Sequence, residues 1–547
     1  VNPALPQYDL EPGKRAYRIA QATRAYHYLV QDGTNIVLLE KLPKAQEFSY
    51  EYRAKQLWAL TKYLANAIVL ELRYRKKTPE TLAGYGRYYP LLRKPATRTT
   101  FTLDSVFGHQ RLAGPNPMSL RRVRAEGLPE HFQVTDAILS HALGRPATVH
   151  AEISEGHLFI CDYSYLERWA ADPGQHGRYN AAATILFFAS PDGHFGRGWG
   201  ELEPIAIQVR PERSAPIYTP CDGVDWMMAK AYAQISETTQ HELCSHLACT
   251  HLMLEPIIMT MHRNMAPNHP VFLLLAQHFD STLAINDLGR ATLVNPGGFL
   301  DQMMAPTLDQ TMAIVSNAIS DFRFDERRLR RDIADRGLDD ETVLPSFPYR
   351  DDGYLVLDAI ETMVREYLGL YYLRPEDVTG DAETQRWLTA MRDDGRLQGL
   401  PDRIDTFDAL VALVSQIVWI AGPQHAAVNY PQWDYVAFVP NQPFAGYAEA
   451  PREKGRFTRE ADLMAVYPKD EKTKTQMLLM QALTGLQYTR LGHYPKDAFA
   501  DPRAQDVMAS FRARLAEVET VIDRRNLERR LDYPFLKPSR IPNSTNT

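Results

Sequence analysis

No run of about 18 consecutive apolar residues occurs in the 547-residue chain, so the sequence offers no simple membrane-spanning helix. The nearest approach, "ALVALVSQIVWIAG" at residues 409–422, is too short and carries Ser415 and Gln416. No charged-then-apolar signal segment opens the chain. It begins at Val1 rather than Met, which predicts removal of a leader or tag and leaves cytoplasmic, periplasmic and secreted locations open. Cysteine is scarce: Cys161, Cys221, Cys244 and Cys249 form no CxxC pair, and a Cys244–Cys249 disulfide needs an unusual backbone. All four read as reduced core residues. Basic charge is not in excess either. The formal net charge of −6 gives no bulk attraction to nucleic acid, and none is expected as a partner.

What is present is ordinary in bulk, with 45% hydrophobic and 23% charged residues, which points to a globular protein. Residues 15–30 and 47–76 space their apolar side chains by three and four, as amphipathic helices do. The second joins Trp58, Leu60, Leu64 and Ile68 to a basic end, Arg73, Arg75, Lys76 and Lys77. That pattern suits either a helix packed on the domain with a solvated end or peripheral contact with a membrane surface. "HLFICDY", "ATILFFAS" and "LEPIAIQV" read as strands of a small β subdomain. From Asp222 about forty residues run without a glycine after Gly223. This predicts one long central helix, with Asp222 as N-cap and Asp225 in its first turn. Helical segments then dominate to about residue 530, so the fold class is mainly α.

Within the long helix, "HELCSHLACTH" places His241, His246 and His251 five residues apart. Five α-helical steps turn about 500°, leaving neighbours roughly 140° apart. A π-type turn, with its i→i+5 bonding, draws such residues together, and single π-turns occur mostly at functional sites. Pro256 offers no N–H to the carbonyl of Leu252, so irregularity is expected just after His251. Three histidines on one apolar run favour a metal over isolated core histidines. The HExxH spacing is missing because Ser245 stands where the second histidine would fall; this weighs against a zinc hydrolase built on His241, Glu242 and His246. A second cluster, "GPQHAAVNYPQW", sets His425 and Asn429 four apart between Pro423 and Pro431, and reads as a short turn. The chain ends in "LDYPFLKPSRIPNSTNT". Pro534, Pro538 and Pro542 forbid a helix there, and Leu531, Phe535, Leu536 and Ile541 can be buried. Such a tail either frays at the surface or threads inward and presents the α-carboxylate of Thr547 as an oxygen ligand.

Together these segments resemble the lipoxygenase family. The histidine run is followed by Glu255-Pro256, His269-Pro270 and His278, and "FGHQRLAGPNPMSLRR", "PIAIQ", "INDLGR", "FLDQMMA" and "YPFLKPSRIPNS" are similar to family landmarks. The resemblance covers about residues 104–547. It implies a single large helical catalytic domain there, and 1–103 as an N-terminal helical extension replacing the family's β-sandwich. It implies one non-haem iron, with manganese as the alternative, held by His246, His251, His425, Asn429 and the carboxylate of Thr547. His241 and Gln432 would support that sphere from outside it. The implied reaction removes a hydrogen atom from the doubly allylic carbon of a polyunsaturated fatty acid and adds O2 to the opposite face, giving a conjugated hydroperoxide. Leu293, Leu300, Met303 and Met304 match pocket-lining positions, and Thr238 replaces a bulky aromatic found in some animal members. Gly289 matches the small-residue position that is glycine in R-forming enzymes, which implies R products. The family usually ends in isoleucine, whereas this chain ends in Thr547; the ligand would be main chain, so the side chain is tolerated. A monomer is expected. A lipid-binding protein that keeps the architecture without catalysis is the remaining rival.

Overall fold

The computed structural model of the protein describes residues 2–31, 33–74, 77–169, 177–189 and 202–547. Arg75 and Lys76 of the basic segment lie outside them. The N-terminal segment forms α1 (Pro12–Ala25), a hairpin of β1 (Tyr28–Val30) and β2 (Val37–Leu39), and α2 (Tyr50–Tyr74). The sequence pattern extends the first helix to residue 30. In the structure Tyr26 already leaves helical geometry and Tyr28 pairs with Leu39, because Ile36 to Leu39 bury fully and draw the preceding segment into a hairpin.

After α3 (Asp104–Ala113) comes a five-stranded antiparallel sheet in the order β3 (Arg121–Arg122), β4 (Leu158–Asp162), β5 (Thr184–Phe188), β6 (Glu203–Gln208), β7 (Ile217–Tyr218). The three strands expected from the sequence are its middle. A register shift falls at Leu186/Phe187, where Phe187 faces Pro204, which has no N–H to give the ladder. One face of the sheet buries Leu158, Ile160, Leu186 and Ile205 in a small separate core. α3 closes on β6 through Gly108, whose added Cβ would stand 1.8 Å from the Leu202 carbonyl oxygen.

The central helix α4 runs in three segments: Val224–Thr239, a π-helical stretch Gln240–Leu252, and Met253–Asn264. The irregularity expected around one turn extends over thirteen residues. Asp222 is not its N-cap. Asp222 closes the preceding 3-10 turn, accepting from the Thr219 N–H, and Gly223 at φ 61° starts the helix. Asp225, in the first turn, accepts from the main chain of Gly455 and Phe457. Against α4 pack α5 (Thr282–Thr292) and α6 (Leu308–Ser320); α7 (Pro348–Leu368) packs on α8 (Phe407–Asn429), whose C-terminal part meets α4, while α9 (Asp470–Thr484) packs on α2 and α10 (Pro502–Glu528) on α7. One continuous core joins residues from Leu5 to Ile541.

α8 corrects the short-turn expectation for residues 422–433. Phe407–Trp419 continues through a π segment, Ile420–Gln424, into His425–Asn429. Pro423 sits in that π segment, where the hydrogen-bond ladder is already shifted. With residues up to Tyr435 the run is long and apolar enough to cross a membrane, yet 78% of its most apolar window is buried within the protein. Among the cysteines, Cys161 and Cys244 are buried and Cys249 partly so, all four are free, and Cys221 is exposed rather than in the core.

Candidate metal centre and cavity

The π segment of α4 solves the spacing of its histidines. The rings of His241 and His246 stack 5.8 Å apart at an interplanar angle of 12°, and His246 and His251 follow at 5.1 Å. The π segment of α8 brings His425 against them. Nitrogen atoms of His246, His251 and His425 all lie within 4.8 Å of one another, and all three residues are buried. His425 Nε2 stands 3.1 Å from His251 Nε2, while His246 Nε2 is buried with no partner. Burial, then the neighbouring imidazoles, push His251 down to about 3 and His425 well below the usual histidine range. Burial also lowers His246. These are neutral lone-pair donors converging where no proton is favoured, a donor set that fits a transition-metal ion.

His241 turns away. Its Nε2–H donates to the Val428 carbonyl at 2.8 Å, linking α4 to α8 one residue before Asn429. Burial is the largest single influence and lowers its pKa, but the charge and hydrogen bond of Glu242, the Val428 carbonyl and the charge of Glu237 together raise it. Glu242, 3.5 Å from both His241 Nδ1 and His246 Nδ1, is itself held down to about 2 by that pair against its burial. The His241–Glu242–His246 trio therefore does not converge on one point as a hydrolytic zinc site requires.

The C-terminal tail runs inward, and residues 543–547 are all buried. Its path is fixed by bonds spread over the molecule: His278 Nδ1–H donates to the Asn543 carbonyl (2.9 Å), Thr545 Oγ1 to the Ala421 carbonyl (3.0 Å), and Tyr52 OH to the Asn546 carbonyl (2.6 Å). The tail crosses α8 at Gly422, where an added Cβ would stand 2.9 Å from the Pro542 carbonyl oxygen. At its end the main chain of Thr547 stands beside His425, and Asn429 Nδ2 donates to Thr547 Oγ1 at 3.1 Å. Asn429 Nδ2 also donates to the Leu483 carbonyl, and Asn429 Oδ1 accepts from Gln432 Nε2 at 3.0 Å. Gln432 Nε2 lies 3.4 Å from His246 Nδ1, so one amide touches both Asn429 and a histidine of the cluster.

A cavity of about 550 Å³ ends on His246, His251 and Thr547. Its walls come from α2, the π segment, α5 and α9, and are mostly Leu, Ile, Val and Phe. Leu293, Leu300 and Gly289 line it. Met303, Met304 and Thr238 are buried but stand off its wall; Thr238 Oγ1 bonds back to the Gln234 carbonyl, a turn ahead of the π segment. An added Cβ at Gly289 would meet only Leu293 Cδ1, at 3.8 Å.

Sequence reasoning passed over Asn286, Glu255, Gly422 and Tyr52. Asn286 Oδ1 accepts from His251 Nδ1–H at 3.0 Å, and Asn286 Nδ2 donates to Glu255 Oε2, whose other oxygen accepts from the Leu39 N–H. A polar residue inside the buried side of amphipathic α5 was the available signal for Asn286; Tyr52, on another helix, had none. Replacing Asn286 by Leu removes the acceptor that fixes the His251 ring. Metal retained after dialysis against a weak chelator is expected to fall on the order of 10-fold. Retention equal to the wild type would show the bond to be incidental.

The lipoxygenase family model matches residues 50–534. The linoleate 9/13-lipoxygenase of Pseudomonas aeruginosa is 33% identical over 491 residues, 85% of this chain and 70% of that protein. The allene oxide synthase-lipoxygenase protein of Plexaura homomalla is 32% identical over 81% of this chain, which spans only 43% of it. Among solved structures, coral 8R-lipoxygenase superposes with a TM-score of 0.91 at 29% identity, covering 100% of this chain and 83% of that one. A manganese lipoxygenase superposes at 0.81 with 23% identity, covering both chains fully, a likeness of fold.

Proposed function

The chain belongs to the lipoxygenase family, and on that premise we propose that it oxygenates polyunsaturated fatty acyl chains of the linoleate, linolenate and arachidonate type to conjugated hydroperoxides. His246, His251 and His425 would hold one non-haem iron together with the terminal carboxylate of Thr547 and, more weakly, Asn429. The observation that carries this reading is the meeting of three imidazoles and the chain terminus at the end of an apolar cavity. Iron held there would supply the one-electron redox chemistry that hydrogen-atom removal from a doubly allylic carbon needs. The mixed nitrogen and oxygen field suits iron, and manganese is the alternative that elemental analysis separates.

The protein's own part is orientation and exclusion of water. Leu293, Leu300 and their neighbours grip an acyl chain without offering it a polar partner, so the chain's flexible methylene run is held by shape alone. Asn286 fixes the ring of His251 from behind, Glu242 stands at His246 Nδ1, and Gln432 orients Asn429 through its Oδ1. His241 would do the same for the backbone of α8 through Val428.

The stereochemical reading is R. Gly289 leaves open space on the cavity wall where an alanine would place a methyl group. That methyl fits without displacing a neighbour, so Gly289→Ala should fold normally and act on oxygen access alone. Linoleate and arachidonate products separated on a chiral column are expected to show a predominant R hydroperoxide in the wild type and a shift toward S in Gly289→Ala. An unchanged R excess in the variant would contradict the role of Gly289. Failure of the metal-loaded wild type to form any conjugated diene would contradict the activity itself.

A further inference from the structure

The five-residue register that gathers the histidines of α4 occurs a second time. In "HELCSHLACTH" Cys244 and Cys249 repeat it, three residues after His241. On an ordinary α-helix such a pair points about 140° apart. On the π segment Gln240–Leu252, i→i+5 bonding stacks residues so spaced one turn above the other, as it does His246 and His251, whose ring centroids are 5.1 Å apart. The structure puts both thiols on one wall. Cys244 and Cys249 line a second cavity, of about 440 Å³, on another face of the π segment from the cavity that ends on His246 and His251. Met118 lines that second cavity too, so three sulfur-bearing side chains share it.

Both cysteines are free, and the histidine centre uses neither. Cys244 Sγ has one polar neighbour, the Tyr165 hydroxyl at 3.9 Å. Thiolate and thioether donors select soft, polarisable cations, whereas the imidazole and carboxylate set next door suits a harder metal. A two-thiolate grip needs sulfurs no more than about 4.6 Å apart, twice a thiolate–metal bond. Side chains on successive helical turns start from about 5–6 Å between their Cβ atoms, so rotation about χ1 closes that gap. The wall is balanced in charge, Arg168 and Arg327 against Asp321 and Asp332. Arg327 pairs with Asp332 at 3.0 Å, while Arg168 stacks on Trp169 and meets no carboxylate among the described residues. Neither an entering cation nor a complex carrying one net negative charge therefore meets a wall of like sign.

We propose that Cys244 and Cys249 form a site for one Cu(I) ion, with the Met118 thioether as third ligand, separate from the histidine centre. Binding forms two copper–thiolate bonds, the two thiol protons leave to solvent, and no electron is transferred. The ion ties together successive turns of the segment that bears His246 and His251. The site does not depend on the proposed oxygenase activity.

The test uses the metal-loaded protein carrying Cys221→Ser, which removes the exposed thiol. It is titrated anaerobically with Cu(I) against bicinchoninate, whose coloured complex reports the ion the protein has not taken. One Cu(I) per chain is expected, with the resident metal content unchanged and only sulfur neighbours in the copper absorption edge. Adding Cys244→Ser or Cys249→Ser, each close in volume, is expected to weaken binding on the order of 100-fold, and Met118→Leu on the order of 10-fold. Resident metal content in each variant reports that the fold and the histidine centre are intact. Copper taken wholly by the chelator, or equal affinity in Cys249→Ser, would overturn the site. Copper with nitrogen neighbours that displaces the resident metal would place the ion among the histidines and overturn it as well. Unchanged affinity in Met118→Leu would overturn the third ligand.

Discussion

A chain carrying one alanine after Thr547 is expected to lose its bound metal and on the order of 100-fold of its turnover, while melting close to the wild type. The reason is geometric. One added residue moves the terminal carboxylate by about 3.5 Å along the chain, and the tail has no slack to absorb it. His278, Ala421 and Tyr52 hold Asn543, Thr545 and Asn546 at successive points, and every residue from Asn543 to Thr547 is buried. The extra residue must therefore either push a charged group into the metal centre or drag the tail off its anchors. Changing the side chain instead, with Thr547→Ile, removes the Asn429 bond to Oγ1 and is expected to leave metal content intact. Full turnover in the extended chain would mean that the carboxylate is not a ligand.

The second large effect concerns a residue that never touches a ligand atom. Gly422→Val is expected to cost the protein most of its metal, on the order of 10-fold or more in affinity, without unfolding it. At Gly422 an added Cβ would meet the Pro542 carbonyl oxygen at 2.9 Å and Ile541 Cγ2 at 3.5 Å, so the tail must lift where it crosses α8. Thr545, whose hydroxyl bonds to Ala421, and Thr547 beyond it would be carried away from His425. Gly289→Ala is the natural control, since its methyl meets one flexible atom at 3.8 Å. Metal titration of both variants separates the two glycines. Equal affinity in Gly422→Val and the wild type would show that the crossing is not needed to deliver the terminus.

These two cases mark what the sequence carries and what it does not. Five-residue histidine spacing is local information. It demands an underwound helix, and the structure supplies one over Gln240–Leu252. Proline placement in the tail is likewise local, since it forbids a helix and leaves an extended segment with apolar residues to bury. The run around His425 misled for an equally local reason. Pro423 and Pro431 look like helix breakers, yet Pro423 sits in a π segment whose altered ladder tolerates it, so α8 continues from Phe407 to Asn429. The contacts that pin the site, Asn286 to His251, Tyr52 to Asn546 and Gly422 against Pro542, join residues far apart in the chain, and no spacing rule reports them. For the same reason the cavity wall could be assigned only in part. Leu293 and Leu300 face it, whereas Met303 and Met304, three and four positions later, pack into the core.

The most direct test of the central claim is the transition-metal content of the purified chain, measured per polypeptide alongside the double variant His251→Ala, His425→Ala. About one iron per wild-type chain, or one manganese, and less than about a tenth of that in the variant is the expected result. A wild-type chain that forms hydroperoxides with no transition metal bound, or a variant that retains the full complement, would contradict it.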